Sequence, residues 1–487
     1  MPYATFKLKP GVNREGTAFS AQGGWFDSNL VRFRKSFPEK IGGWEKEQTS
    51  TYLGTARSLH AWVSLATTKY LSLGTTLKYY VKEGDNFYDI TPIRATTSAG
   101  DVTFSATNGD ATITVADTSH GASKNDFVTF SGAATLGGLI TANVLNQEYQ
   151  IATVVNANSY TIEAKDTDGA TVTANASDSG NGGSSVVGAY QINVGLDDYV
   201  SGSGYGAGLW GDGTYGDASA LAFNNQLRLW SEDNFGEDLI INPRAGGIFY
   251  WTENNGTSVR AVSLTALGAN LPPTLALQTL VSDIDRHVLC LGADPLNDAG
   301  TARTGAIDPM FIAWCDQENI NEWEPSLTNT AGSLRLSAGT QIVGALRSRQ
   351  ETLVWTDDAL YSIQFIGPPY TFGANLINSG VGMVSPKAPV NTPAGVYWMD
   401  RSGFYNYNGT VSRVPCSVHN YVFNDFNQSQ SFKVFGYLNR QFNEVGWFYP
   451  SGSSTEIDRY VVFNYQEQIW YYGQLTRFAW LDEGVQP

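Results

Sequence analysis

The feature that most constrains this chain is a repeated theme of short strands and polar turns. Residues 436–473, GYLNRQFNEVGWFYPSGSSTEIDRYVVFNYQEQIWYYG, hold three aromatic and β-branched runs: EVGWFY, RYVVFNY and QIWYY. Polar joints, PSGSSTEID and QEQ, separate them. Such a unit cannot bury both of its faces alone, so copies must stack on one another. A unit of roughly 35–45 residues built from short strands points to radial repetition, not to a doubly wound or helical enzyme.

Five more stretches carry the theme: residues 55–92, 219–253, 277–325, 341–365 and 389–415. Val, Ile, Tyr, Phe and Trp fill the runs, and NNQ, TDD, MDRSG and NYNG form the joints. The expected fold is all-β: a β-propeller of about six blades. Trp62, Trp230, Trp314, Trp355, Trp398, Trp447 and Trp470 fall inside these runs and are expected to be buried between blades. Helical periodicity is scarce, and candidates such as residues 420–431 are short.

Residues 98–188 differ. Every tryptophan lies outside residues 63–209, and this segment is rich in Thr, Ala, Ser, Gly, Asn and Asp. It carries nine acidic residues against two lysines. The expected organisation is an N-terminal arm (1–50), a first blade (51–97), an inserted small β-barrel or sandwich (98–188) and the remaining blades (189–487). The inserted part is expected to project from the propeller and to be removable without unfolding it. Its run DFVTFSG…YQIATVVNANSYTIEA resembles small β-barrel modules found inside many phage tail proteins, related to a domain of ubiquitin-activating enzymes.

The longest apolar runs fall far short of a membrane helix, and MPYATFKLKPGVNREG lacks the apolar core of a signal peptide. Assembly in a cytoplasm, with no membrane insertion, is therefore expected. Cys290, Cys315 and Cys416 cannot all pair and match no zinc spacing, so reduced thiols are expected. His60, His120, His287 and His419 are isolated, and no H-E-x-x-H, G-x-S-x-G or phosphate loop is present. Asp166 and Asp168 in KDTDGA lack the spacing and terminal Glu of a calcium loop. No catalytic residue, metal or cofactor is expected. A glycan-binding or glycan-degrading propeller is the alternative, although no pair of carboxylates stands out.

The net charge is −16, which opposes broad binding to phosphates. The first fifty residues run the other way, with eight Lys or Arg against five acids. Arg32, Arg34, Lys35 and Lys40 cluster in NLVRFRKSFPEKIGGWEK, making this arm a candidate dock for an acidic partner. Arg244, in the turn NPRAGG, either reaches a neighbouring subunit or caps a carboxylate.

DSNLVRFRKSFPEKIGGWEK, NPRAGGIFYW, FIAWCDQENINEWEP and ALRSRQETLVWTDDALYSIQF…GVGMVSPKAPV, in this order, resemble the tail-hub or nozzle proteins of short-tailed bacteriophages. The resemblance covers most of the chain outside the insertion. It implies a β-propeller subunit of the virion tail, six copies of which ring the tail axis below the portal and its adaptor. It also implies retention and conduction of double-stranded DNA without tight binding, and contact with tailspikes, fibres or a needle. On that reading the basic arm docks on the adaptor or a neighbour. Asp357, Asp358, Glu232 and Asp233 become candidate lumen-facing acids that keep DNA mobile.

Overall fold

A computed structural model describes residues 8–19, 21–46, 49–198 and 227–482. Among them, six four-stranded antiparallel sheets follow one another along the chain, at 56–89, 230–263, 276–335, 342–379, 390–413 and 435–474. Each pairs its strands in sequence order, as an antiparallel meander allows. These are blades one to six, and the all-β, propeller-type expectation is met. Residues 219–226 of the expected second unit lie outside the described residues. The expected runs in blade six become Glu444–Tyr449, Arg459–Asn464 and Ile469–Gln474.

The blades stack through their aromatic and aliphatic faces. One core joins Trp62, Tyr70 and Tyr79 of blade one to Trp230, Leu239 and Trp251 of blade two. Others join blades two and three, and blades three and four. The largest runs through blades four, five and six. All seven tryptophans named above are buried. Each such side chain removes roughly 150–250 Å² from water, which makes these seams the main stabilising element. Several indoles also satisfy their N–H across a seam. Trp230 Nε1 donates to Thr75 O at 2.7 Å, and Trp447 Nε1 to Ala388 O at 2.9 Å. Trp230 lies so close to blade one that a Cβ on Gly74 would sit 2.5 Å from its ring, so that position has room for glycine alone.

The inserted module interrupts the chain between blades one and two. Two sheets, one of four strands and one of five, enclose a separate core containing Phe104, Ile113, Phe130, Leu145, Tyr160 and Tyr190. Ile93–Thr96 pairs with Val187–Gln191 inside the four-stranded sheet. The strand pairing therefore carries the module a few residues beyond 98–188 at each end.

Candidate functional site

The first strands of neighbouring blades pack side by side from blade one to blade six. Together these strands and the segments beside them line one cavity of about 590 Å³. Charged side chains project into it because a strand at an inner edge has one face with no sheet to cover it. Asp233 of blade two accepts from Val281 N at 2.9 Å and lies 3.1 Å from Arg347 Nη2 of blade four. Arg347 also pairs with Asp283, in the first turn of blade three. Glu232 lies 3.3 Å from Lys387 Nζ, which leads into blade five. His60 of blade one shares a 2.6 Å hydrogen bond with Asn234. Burial pushes the Asp233 carboxyl above its usual range, and Arg347 only partly offsets it.

Glu232 and Asp233 therefore face a cavity of the single chain, but buried and neutralised. They brace blades two to five and present no free acidic wall. Asp357 and Asp358 sit in the turn between the second and third strands of blade four. Asp357 follows the second strand of blade four, where its carboxylate accepts from Thr340 N and Thr340 Oγ1, just ahead of that blade's first strand. Burial opposes its charge, but these hydrogen bonds prevail and hold the carboxyl below its usual value. Asp294 does the same for Thr274 in blade three, and Thr76 accepts from Thr55 N in blade one. The position is a recurrent lock on the first strand of a blade. Asp358 is exposed at the same turn, and its carbonyl accepts from Gly380 N.

The basic arm divides. Val31–Arg34 and Phe37–Lys40 form a hairpin that packs on the last strand of blade six. Arg32 turns inward, 3.1 Å from the buried Glu444 and over the Phe442 ring at 3.5 Å. It anchors the arm to its own chain. Arg34, Lys35 and Lys40 are exposed. Arg244 is buried, donating to the carbonyls of Leu277, Ile342 and Val343 and lying 5.2 Å from the Phe432 ring. Its guanidinium ties blades two, three and four together, so it does not reach outward. Five donors in a fixed fork suit that task.

Two ionic clusters went unread in the sequence. Arg57 of blade one pairs with Glu456 of blade six at 3.0 Å, and the fully buried Lys433 pairs with the same carboxylate at 2.7 Å. Lys78 joins Asp89 of its own blade to Glu148 of the module, and Arg260 of blade two binds both carboxylates. Lys78 is legible in retrospect as a lysine inside the apolar run TLKYYV. Among the other predicted positions, Asp166 Oδ1 accepts from Asp168 N and Ala170 N of its own loop, and the three cysteines are free. Among the described residues, no group of three His, Cys, Asp or Glu side chains has the arrangement of a metal site.

No known protein family and no curated protein matches the chain. Solved structures similar to it include the endosialidase of phage phi92, at 13% identity, TM-score 0.23, over 74% of this chain and 55% of that one. An ancestral GH74 enzyme matches at 9% identity, TM-score 0.32, over 86% of this chain and 58% of that one. The AfRom2 CNH domain matches at 11% identity, TM-score 0.29, over 48% and 67%. The chain thus spans little more than half the length of the first two.

Proposed function

We propose that the chain is a structural subunit of a short bacteriophage tail, a nozzle or hub protein. In this reading copies form a ring of six below the portal and adaptor, hold the packaged DNA and conduct it during ejection. Tailspikes, fibres or a needle attach to the ring. The observation that carries the reading is the ordered set of sequence blocks resembling that family, beginning with DSNLVRFRKSFPEKIGGWEK. Its hairpin seats one arginine on blade six and leaves Arg34, Lys35 and Lys40 available to a partner. A strongly negative body beside this basic arm suits a duct that repels phosphate while its joints attract.

The subunit then acts by shape and charge and not by catalysis. The cavity carboxylates Glu232 and Asp233 support this, because each is committed to a cation. The alternative is a glycan-binding or glycan-degrading tail propeller. The raised carboxyl of Asp233 inside a cavity is the one feature that favours it.

Imaging the particle that carries the chain tests the proposal: the propeller should appear in a ring around the tail axis. Tight binding of purified protein to duplex DNA at physiological salt would exclude the conduit. Glycan turnover that disappears in Asp233→Asn would transfer the reading to the alternative.

A further inference from the structure

Blade four carries an overhang that its own fold leaves uncovered. Its last two strands, Ala359–Gly367 and Thr371–Ser379, are nine residues each, the longest of any blade. They run past the neighbouring strands, so Phe365 (41% exposed), Ile366 (57%) and Tyr370 (74%) meet solvent. Ile284, in the first turn of blade three, is 71% exposed. A groove of about 430 Å³ lies between blades three and four, lined by Asp283, Ile284, Asp285, Glu351 and Phe365 among others.

The groove has an unusual carboxylate. Asp285 is 3% exposed, and neither of its side-chain oxygens has a hydrogen-bond partner. The cationic candidate nearest to it is His287 Nδ1 at 3.7 Å. A buried carboxylate without a hydrogen-bond partner is costly, so its position favours a cation brought from outside. The two arginines that line the groove do not supply it. Arg347 is committed to Asp233 and Asp283, and Arg349 reaches Pro393 O.

The matching surface is on the same chain. At the turn of the arm hairpin, the backbone N–H groups of Lys35 and Ser36 donate to Glu467 at 2.8 and 3.1 Å. That fixes the turn and points its side chains outward. Lys35 and Arg34 are exposed there, beside Phe37 at 74%. The tip thus offers a cation and an aromatic ring, and the groove offers carboxylates and an apolar rim. The tip sits on blade six and the groove between blades three and four, about half the blade order away.

We infer that the Lys35–Phe37 tip of one copy docks in the blade three–four groove of a second copy, with the Lys35 ammonium directed to the Asp285 carboxylate. The two surfaces differ and lie on separate sides of the subunit. One contact therefore leaves a free tip and a free groove, which gives a head-to-tail series that closes into a ring or continues as a filament. This specifies the subunit contact of the ring proposed above and rests on that reading for its biological setting.

The test uses the full chain. Lys35→Cys combined with Ile284→Cys should give disulfide-linked dimers and higher species under mild oxidation, whereas either single variant should not. Lys35→Glu with Arg34→Glu should weaken self-association about tenfold or more by sedimentation. Adding Ile284→Lys, at an exposed position, should recover much of it. Self-association that survives the charge reversal without cross-linking would overturn the contact and leave the ring reading standing. A wild-type chain that stays monomeric at every concentration would also overturn the contact. Cross-linked chains that never enter tails would instead keep the contact and remove the ring reading.

Discussion

The seams between consecutive blades and the seam between blades six and one are built on different physics. From blade one through blade six, neighbours share apolar cores rich in tryptophan and tyrosine. Among the described residues, no apolar core spans blades six and one. There Arg57, Lys433 and Glu456 form an ionic knot, and Arg57 lies 5.8 Å from the Phe478 ring. A cleft of about 500 Å³ runs beside it, lined by Tyr52, Leu59, Leu71, Phe87 and Phe478. An apolar seam is non-directional and scales with buried area. An ionic seam depends on a few atoms in register, and it is sensitive to the loss of any one partner. The chain therefore concentrates its stability in the consecutive seams and leaves the end-to-end seam specific but weaker.

The contrast is broken most directly by mutation on each side. Trp447→Ala removes a fully buried indole between blades five and six and should cost about 3–5 kcal/mol in chemical unfolding. A loss under about 1 kcal/mol would mean that the seam repacks and is not the principal stabilising element. At the module joint, Lys78→Met strips Asp89 and Glu148 of one cation but leaves them Arg260. The expected cost is about 2–3 kcal/mol, below that of a buried pair left with no partner. Hydrogen exchange should rise at the joint and not in blades four to six. Glu456→Gln weakens the six–one knot while Lys433 keeps Asp198 and the Thr455 carbonyl. A cost of about 1–2 kcal/mol is expected, with protease sensitivity appearing near Arg57 before the core opens.

Titration sharpens the comparison without mutation. Asp89 is mostly buried, which alone would raise its carboxyl, but Lys78 and Arg260 hold it below its usual value. A carboxyl lowered on folding contributes stability that is complete above its unfolded value, near pH 4, and is lost as the pH falls through its folded value. The module joint should therefore loosen in acid. Glu444, raised mainly by burial against the opposing Arg32, behaves in the opposite sense: its contribution is present at low pH and declines as the pH rises through its folded value. Acid should loosen the module before the arm, as read by exchange at Glu148 against Arg32. The reverse order would show that the ionic network does not hold the module.

The smallest effect is expected on the arm surface. Arg34→Glu and Lys35→Glu should each change stability by no more than about 0.5 kcal/mol, because both side chains are exposed. Arg32→Glu should destabilise clearly, since it sets a second carboxylate against the buried Glu444. Equal effects at the three positions would dissolve the division of the arm into anchor and dock.

The sequence by itself determined the all-β class and most of the strands, but not every sheet's extent: the fourth strands at Val262–Ser263, Gly332–Arg335 and Thr371–Ser379 fall outside the units read as 219–253, 277–325 and 341–365. Enrichment of aromatic and β-branched residues in short continuous runs is a local signal, and turn chemistry punctuates it. Runs such as EVGWFY and RYVVFNY could be read almost to the residue. Their tryptophans could be assigned to the interior because no solvated strand face tolerates so many. Tertiary structure alone decided which charges are free. Arg32 and Lys35 stand three residues apart in one basic cluster, yet one is sealed against Glu444 and the other faces solvent. Glu232 and Asp233 resembled any acidic strand end until Lys387 and Arg347 arrived from blades far along the chain. An ion pair joins residues with no sequence relation, because its energy depends on distance and burial in space and not on order in the chain.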